Sequence, residues 1–502
     1  MKRIVLISPY PDIYAYGLRM ISACLKKEGF NTEIYFFPFD IIQGECDVAI
    51  KTCIEKIEGA LFVGISLMSN YFNKSIYLTE KIKESLEIPI LWGGIHPTIE
   101  PEECLKYADF ICIGEGEYTV VELAKSLSNK EDWKQITGIW GKNNGSIFQN
   151  GVSRKVENID SLPFQDFKTG NSYIATKSGL EKLDEKKIQR YIVDLYMTIC
   201  SRGCIYECTY CCNYVYSKLY DGNKVRRRSN SNILEEIDQI KSNFNFVKQF
   251  IFEDDVFLAA ATESIREFCD LYKNRIGLPF WISGITPSTV KKEKLDLLVD
   301  AGLKGVRMGI QSGSEKTRKI IYGRGGTNSQ IIKASQILHL YKDKIDIPTY
   351  DFILDNPWES EDNLIESLKL ILELQRPFFL NLYSLTFYPG TQIYSKAVKE
   401  GIIKDKSSDL FERDYLAFRT TYLNCLFIFF SNFPIPKRVG LAMIHPFVRR
   451  FGIHLPFHFL FLKPITYILQ RRVKGVILHN ALRKIRSGKI KRLIEVFFKR
   501  IN

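Results

Sequence analysis

The chain offers no run of about 20 clean apolar residues, the length a membrane-spanning helix needs, so none is expected. Its apolar segment 422–430 lies in a charge-free stretch, 420–436, that Asn424, Ser431, Asn432, Pro434 and Pro436 interrupt. Nor does the chain open on an Arg/Lys-flanked apolar run with a small-residue cleavage site, because residues 1–10 already read as a short buried strand. Secretion is therefore not expected, and a cytosolic location is. No internal repeat at a solenoid period is found, which sets aside array architectures. With 45% apolar and 25% charged residues, the composition excludes disorder, collagen and coiled coil, and suits a globular chain of two or three domains. In a reducing compartment the 12 cysteines read as free thiols or metal ligands rather than disulfides, so only clustered ones are informative.

Acidic charge is scarce at one end. Residues 431–502 hold 16 Lys or Arg and one acid, Glu495, a balance of +15 that leaves −2 for residues 1–430. A polyanionic partner is thus expected at the tail alone.

Residues 1–145 alternate strand and helix patterns, as a parallel sheet with crossover helices requires. Strands are predicted at 2–8, 61–67, 89–92 and 110–113, and helices at 15–29 and 74–86. Such open sheets bind ligands beyond the carboxyl ends of their strands, where Ser66, Gly93, Gly94, Gly114, Glu115, Gly116 and Glu117 fall. Residues 146–190 are polar and poorly periodic, with Leu162, Pro163 and Phe164 as an apolar anchor, and read as a linker. Over 191–400, strands at 194–198, 250–253, 280–283, 305–310, 349–354 and 381–386 alternate with helices, which makes a partial (β/α)6 barrel with its chemistry at the strand C-termini. Residues 401–502 form a basic, apolar-rich and mostly helical extension. The expected fold class is α/β: a flavodoxin-like, doubly wound N-terminal domain, then the partial barrel and the extension.

Cys204, Cys208 and Cys211 are spaced CxxxCxxC in the loop after the first barrel strand. Three thiolates hold three irons of a cubane four-iron, four-sulfur cluster and leave the fourth iron open to an exogenous ligand. A zinc site or a plain electron carrier would draw on Cys200 or Cys212 as a fourth ligand, but the paired CxxC knuckles usual for zinc are absent. With Tyr210 before the third cysteine, residues 199–211 resemble the signature of the radical S-adenosylmethionine (SAM) enzymes. The resemblance implies a 4Fe–4S cluster on these cysteines, SAM chelated at its open iron, and one-electron cleavage of SAM to a 5′-deoxyadenosyl radical.

It also implies SAM contacts farther along the barrel. Besides Tyr210, these are Glu253, Asp254 and Asp255, an acidic segment suited to the SAM ammonium, together with Arg307 and then Gln311 and Ser312. The last two lie in a segment similar to the family's GIESGS strand, with Gln311 where Glu is common. Residues 354–359 keep only Pro357 and Glu359 of a GLPGE turn, whereas Tyr388, Pro389, Gly390 and Thr391 match well. Taken singly, each is also readable as a strand-end turn or a helix cap.

Residues 1–125 resemble the cobalamin-binding domains fused to radical SAM barrels, through 63–66, 91–98, 101–103 and 113–117. In that reading Ser66, Gly93, Gly94, Gly114, Glu115, Gly116 and Glu117 approach cobalamin, since paired glycines let a flat macrocycle reach the backbone. Flavodoxin-like scaffolding without a ligand is the alternative. No DxHxxG motif supplies a lower cobalt ligand, and the one histidine, His96, precedes Pro97. Tyr14 and Tyr16 are candidates to cover that lower face, or simply to pack. Arg154, residues 159–164 and Asp166 resemble the connector that would dock one domain over the other.

The resemblance implies a cobalamin-dependent radical SAM enzyme that methylates an unactivated carbon of a small molecule or lipid, consuming two SAM per product and drawing electrons from a flavodoxin- or ferredoxin-type donor. Radical oxidation or cyclisation, as in relatives of the anaerobic magnesium-protoporphyrin monomethyl ester cyclase, is the alternative within chemistry. A membrane-surface cobalamin sensor or iron–sulfur carrier is the alternative outside it. The tail, with Phe447, Phe451, Phe457, Phe459, Leu460 and Phe461 and a second amphipathic pattern over 474–500, suits an anionic membrane surface or packing on the barrel; nucleic acid is not expected.

Overall fold

The computed structural model describes residues 2–38, 46–143, 145–222, 224–411 and 413–452. Successive residues of the first strand, β1 (Arg3–Ser8), enter different cores: Ile4 and Leu6 pack on one face and Val5 and Ile7 on the other. A strand apolar on both faces must have helices on both sides, and this is the parallel interior of a doubly wound sheet. Around it lie β2 (Asn31–Phe36), β3 (Val63–Ser66), β4 (Ile90–Gly93), β5 (Phe110–Cys112), β6 (Ile139–Asn143), β7 (Ser146–Gln149), β8 (Ser172–Thr176) and β9 (Gly179–Lys182), in the order β7-β6-β5-β4-β3-β1-β2-β8-β9. The order reverses between β1 and β3, so a crevice opens at their carboxyl ends.

Residues 146–190, expected to be a linker, instead complete this sheet at both edges. β7 pairs antiparallel with β6, and β8 pairs parallel with β2 before turning back as β9. The misreading has a physical cause: β7 has no buried residue, so an edge strand wet on both faces carries no apolar periodicity. The second strand, β2, was equally unmarked as an expected element, although Tyr35 and Phe36 are fully buried.

The barrel begins at β10 (Leu195–Thr198), and a short ribbon, β11 (Ser201–Arg202) with β12 (Arg226–Arg227), sits at its mouth. Then follow β13 (Gln249–Phe252), β14 (Phe280–Ile285), β15 (Leu303–Gln311), β16 (Thr349–Leu354) and β17 (Phe379–Ser384), all parallel and in the order β10-β13-β14-β15-β16-β17. The apolar segment of the extension is a helix, Tyr422–Asn432, with Cys425, Leu426, Phe427 and Phe430 fully buried against the outside of the barrel. Ser431 Oγ accepts the Leu380 N–H at 2.9 Å, so this helix belongs to the barrel rather than to a detachable tail. Among the described residues no helix is long and apolar enough to cross a membrane. The amphipathic patterns over 457–461 and 474–500 lie outside the described residues.

Candidate active site

One cavity of about 340 Å³ lies between the carboxyl ends of the first sheet and the barrel mouth. Its sheet-side wall contains all seven residues read as cobalamin contacts: Ser66, Gly93, Gly94, Gly114, Glu115, Gly116 and Glu117. A Cβ on Gly94, whose φ is +96°, would stand 2.8 Å from Leu67 O, and one on Gly114, φ +90°, would stand 2.2 Å from the Tyr220 hydroxyl. Only glycine lets these loops close so tightly. Tyr16 joins this wall, while the Tyr14 hydroxyl donates to Leu195 O of the barrel at 3.1 Å. No histidine lines the cavity. His96 is buried off it, its Nδ1 3.0 Å from Ser69 Oγ and its ring edge-on to Phe72, and burial holds its pKa down at about 4.

The barrel-side wall includes Ser201, Arg202, Gly203, Asn213, Tyr216, Tyr220, Arg226, Glu253 and Asp255. Cys204, Cys208 and Cys211 follow directly on Gly203. Burial pushes the Cys204 thiol up to about 12, and the nearby Cys211 and Cys208 thiols add to it, so three donors that repel one another as thiolates are gathered in one loop. An iron–sulfur core suits this set, because it takes thiolates and repays that repulsion. Cys200 is different. It is fully buried in the apolar core, and its N–H donates to Asp254 at 3.0 Å. Among the described residues no three His, Cys, Asp or Glu side chains converge on a single-ion site.

The cysteine loop is gripped from several sides. Thr209 N–H donates to Tyr322 O at 3.0 Å, Thr209 Oγ1 donates to Ile321 O at 2.6 Å, and Ile393 N–H donates to Thr209 O at 3.0 Å. Tyr210, read as a SAM contact, packs edge-on against Tyr322 at 5.2 Å and lies outside the cavity lining, with its hydroxyl accepting from Arg324 at 3.2 Å. Nothing in the sequence patterns pointed to Thr209, Tyr322 or Arg324, since the bonds of Thr209 to Ile321 and of Arg324 to Tyr210 join segments about 110 residues apart, and Ile393 comes from farther along the chain.

The acidic segment after β13 divides by side-chain direction. Glu253 and Asp255 line the cavity, and Glu253 accepts from Ser283 Oγ at 2.7 Å. Asp254 turns inward, where its carboxylate takes the Cys200 N–H and the Ser201 hydroxyl; burial raises its pKa against these bonds. Gly284 makes room for the turn, since a Cβ there would sit 1.8 Å from Asp254 O. Gln311 ends β15 in the left-handed region, φ 73°, beside a register shift between Gly309 and Gln311. Left-handed backbone is sparsely occupied by residues other than glycine, so the strand ends here in a strained conformation. Ser312 is buried and donates to Glu359 Oε1 at 2.7 Å. Arg307 lies four residues earlier on β15, paired with Asp351 at 2.9 Å and donating to the Tyr383 hydroxyl at 2.9 Å. Asp355, in the divergent turn, binds Ser384, Arg419 and Asn424, and so spends its carboxylate on anchoring the extension.

Glu115 and Glu117 also do more than line the cavity. Glu117 pairs with Arg202 at 2.6 Å, and Glu115 takes Arg226 at 2.5 and 2.9 Å and the Val156 N–H at 2.8 Å, with Arg202 at 3.6 Å. Burial alone would raise the Glu115 carboxyl, but the Arg226 hydrogen bond and the Arg202 charge hold it below its usual range. Both arginines stand on the β11–β12 ribbon, two residues before Cys204 on one side. The connector adds neighbouring anchors. Gln165 Nε2 donates to the Tyr196 hydroxyl at 3.0 Å and to Glu236 at 3.1 Å, in the barrel, while Asp166 Oδ2 accepts from Ser22 at 2.5 Å and pairs with Lys26, in the first domain.

Comparison with known proteins agrees with this division. A family model described as the B12 binding domain matches residues 2–124, and one described as the radical SAM superfamily matches residues 198–371. An uncharacterized methyltransferase of Pyrococcus horikoshii is 24% identical over 65% of this chain and 67% of its own. The bacteriochlorophyllide d C-8(2)-methyltransferase of Chlorobaculum tepidum is 25% identical over 68% of this chain and 69% of its own. The radical S-adenosylmethionine methyltransferase TsrM of Kitasatospora setae, solved with cobalamin and a [4Fe-4S] cluster bound, shares the fold at a TM-score of 0.63 and 16% identity, over 80% of this chain and 75% of that one. With both domains in tandem and one cavity between them, the chain belongs to the cobalamin-dependent radical SAM enzymes, whose cofactors are a 4Fe–4S cluster, SAM and cobalamin.

Proposed function

We propose that this enzyme is a C-methyltransferase acting on an unactivated carbon of a small molecule. The observation that carries the reading is the cavity whose walls come from the glycine loops of one domain and from the mouth of the other, beside the cysteine loop. When bound, the cluster and cobalamin supply one-electron cleavage of SAM and methyl transfer. In this reading Cys204, Cys208 and Cys211 hold three irons, and Glu253 and Asp255 offer carboxylates to the SAM ammonium. Gln311 offers an uncharged amide from the end of β15. Gly93, Gly94, Gly114 and Gly116 bring backbone against the corrin, with Tyr16 beside it. The pairs Glu117–Arg202 and Glu115–Arg226 keep the two walls in register, and transfer between centres tolerates little misplacement. Arg307, Asp351, Asn381 and Tyr383 form a hydrogen-bonded patch across the neighbouring barrel strands β15, β16 and β17.

SAM carrying a deuterated methyl group tests the reading. Label in the product is expected; 5′-deoxyadenosine formed with unlabelled, oxidised or cyclised product would replace methylation with the oxidative reading, and absence of SAM cleavage would leave a sensor or carrier. Electrons would come from a flavodoxin- or ferredoxin-type donor in the cytosol. The basic tail suits an anionic membrane surface, where a lipid substrate would lie. Truncation after Gly452, which spares the Ser431 contact, is expected to reduce binding to anionic liposomes. Unchanged binding would remove the membrane from the proposal.

A further inference from the structure

Three guanidiniums near the site have a carboxylate partner: Arg202 on Glu117, Arg226 on Glu115 and Arg228 on Glu236. Arg324 has none among the described residues. Its Nη1 donates to the Tyr210 hydroxyl at 3.2 Å and faces Cys208 Sγ at 4.0 Å; its Nη2 donates to Gly309 O at 3.1 Å, and its Cζ stands 5.7 Å from the Tyr206 ring centre. Arg324 is partly buried, a cation without a counter-charge is costly to withdraw from water, and the negative charge beside its guanidinium would come from the cysteine loop. The guanidinium is also held in place. The backbone N–H of Arg324 donates to Arg318 O at 2.8 Å, and the turn that carries it is tied to the loop through Thr209 and the Tyr210–Tyr322 ring pair.

We propose that Arg324 is a positioning residue that compensates the charge of the cluster on the Cys208 side and raises its reduction potential. The inference rests on the radical SAM reading of Cys204, Cys208 and Cys211. Reduction adds one negative charge to a centre already bearing three thiolates, so a fixed cation beside one sulfur favours the reduced state. The electron comes from the external low-potential donor and stays on the cluster in this step, with no bond made or broken.

The test is an EPR-monitored redox titration of the full-length protein, reconstituted anaerobically and without SAM, after iron and sulfide have been quantified. R324Q is expected to be about tenfold harder to reduce, a midpoint about 59 mV more negative, with R324K close to wild type. Equal midpoints for R324Q and wild type at equal iron content would overturn the proposal, and so would a change confined to SAM affinity, which would assign the guanidinium to the SAM carboxylate. If R324Q loads no iron, R324M, neutral and better suited to packing, takes its place. Iron lost in both and kept in R324K supports the charge role, and iron lost in all three overturns it. Wild-type protein without iron would instead refute the underlying radical SAM reading.

Discussion

On its first-domain side the cavity is walled largely by main chain, with Gly64, Gly93, Gly94, Gly114 and Gly116 at the strand ends. Its barrel side presents side chains, among them Arg202, Tyr216, Tyr220, Arg226, Glu253 and Asp255. On the proposed function, the contrast follows from what each wall would hold. A broad, flat macrocycle is met by removing side chains, whereas a small zwitterion and a charged cluster are met by placing carboxylates and guanidiniums. The glycine wall depends on shape and the barrel wall on charge, so the two should fail differently.

The largest expected effect is on the barrel side. Cys208→Ala should abolish both iron loading and SAM cleavage, read by iron content and 5′-deoxyadenosine, while Cys200→Ala and Cys212→Ala keep them; loss of iron in Cys200→Ala would point to a four-thiolate site. Next is the seam between the walls. Glu117→Gln leaves Arg202 buried without its closest partner and should cost about 3–5 kcal/mol in urea unfolding. The double variant with Arg202→Met should recover much of that loss, and additive losses would show that the pair is not coupled.

Two glycines then separate conformation from ligand contact. Gly114→Ala, at φ +90° and against Tyr220, should lose about 1–3 kcal/mol and bind cobalamin more weakly. Gly93→Ala, whose Cβ would find its nearest neighbour at 3.7 Å, should weaken cobalamin binding with little change in stability. Equal stability losses at both positions would show that neither the left-handed backbone nor the Tyr220 contact sets Gly114 apart. The smallest effect sharpens the charge side of the contrast. Burial raises the Glu359 carboxyl from its usual 4.5 to about 7. The folded protein therefore keeps a proton that the unfolded chain releases, so this group's contribution to stability falls as pH rises from about 4.5 to 7. Glu359→Gln should flatten that slope in urea titrations, and an unchanged slope would place the titration elsewhere.

Buried parallel strands were legible because both faces are apolar: β1, β3 and β4 read as short apolar runs ending at small residues. The edge strands β7 and β9, and β8 beside the second edge, were not, because these short segments sit in a polar stretch that resembles a connector. The cysteine spacing and the glycine loops were equally plain, since each is a local requirement written into consecutive residues. Side-chain direction was not. Glu253, Asp254 and Asp255 form one acidic run, yet the middle residue points into the core and braces Cys200 and Ser201. Glu115 and Glu117 read as ligand contacts, and the structure pairs them with Arg226 and Arg202 of the barrel-side ribbon.

By itself the sequence determined what is local: two α/β units, three thiols within eight residues, and glycines where backbone must come close. Tertiary structure alone decided which distant groups meet. It set Arg226 on Glu115, Arg324 beside Cys208 and the Tyr422–Asn432 helix against the barrel. Such pairings depend on how far a strand or loop has turned when it arrives, a property of the packed whole that no stretch of neighbouring residues carries.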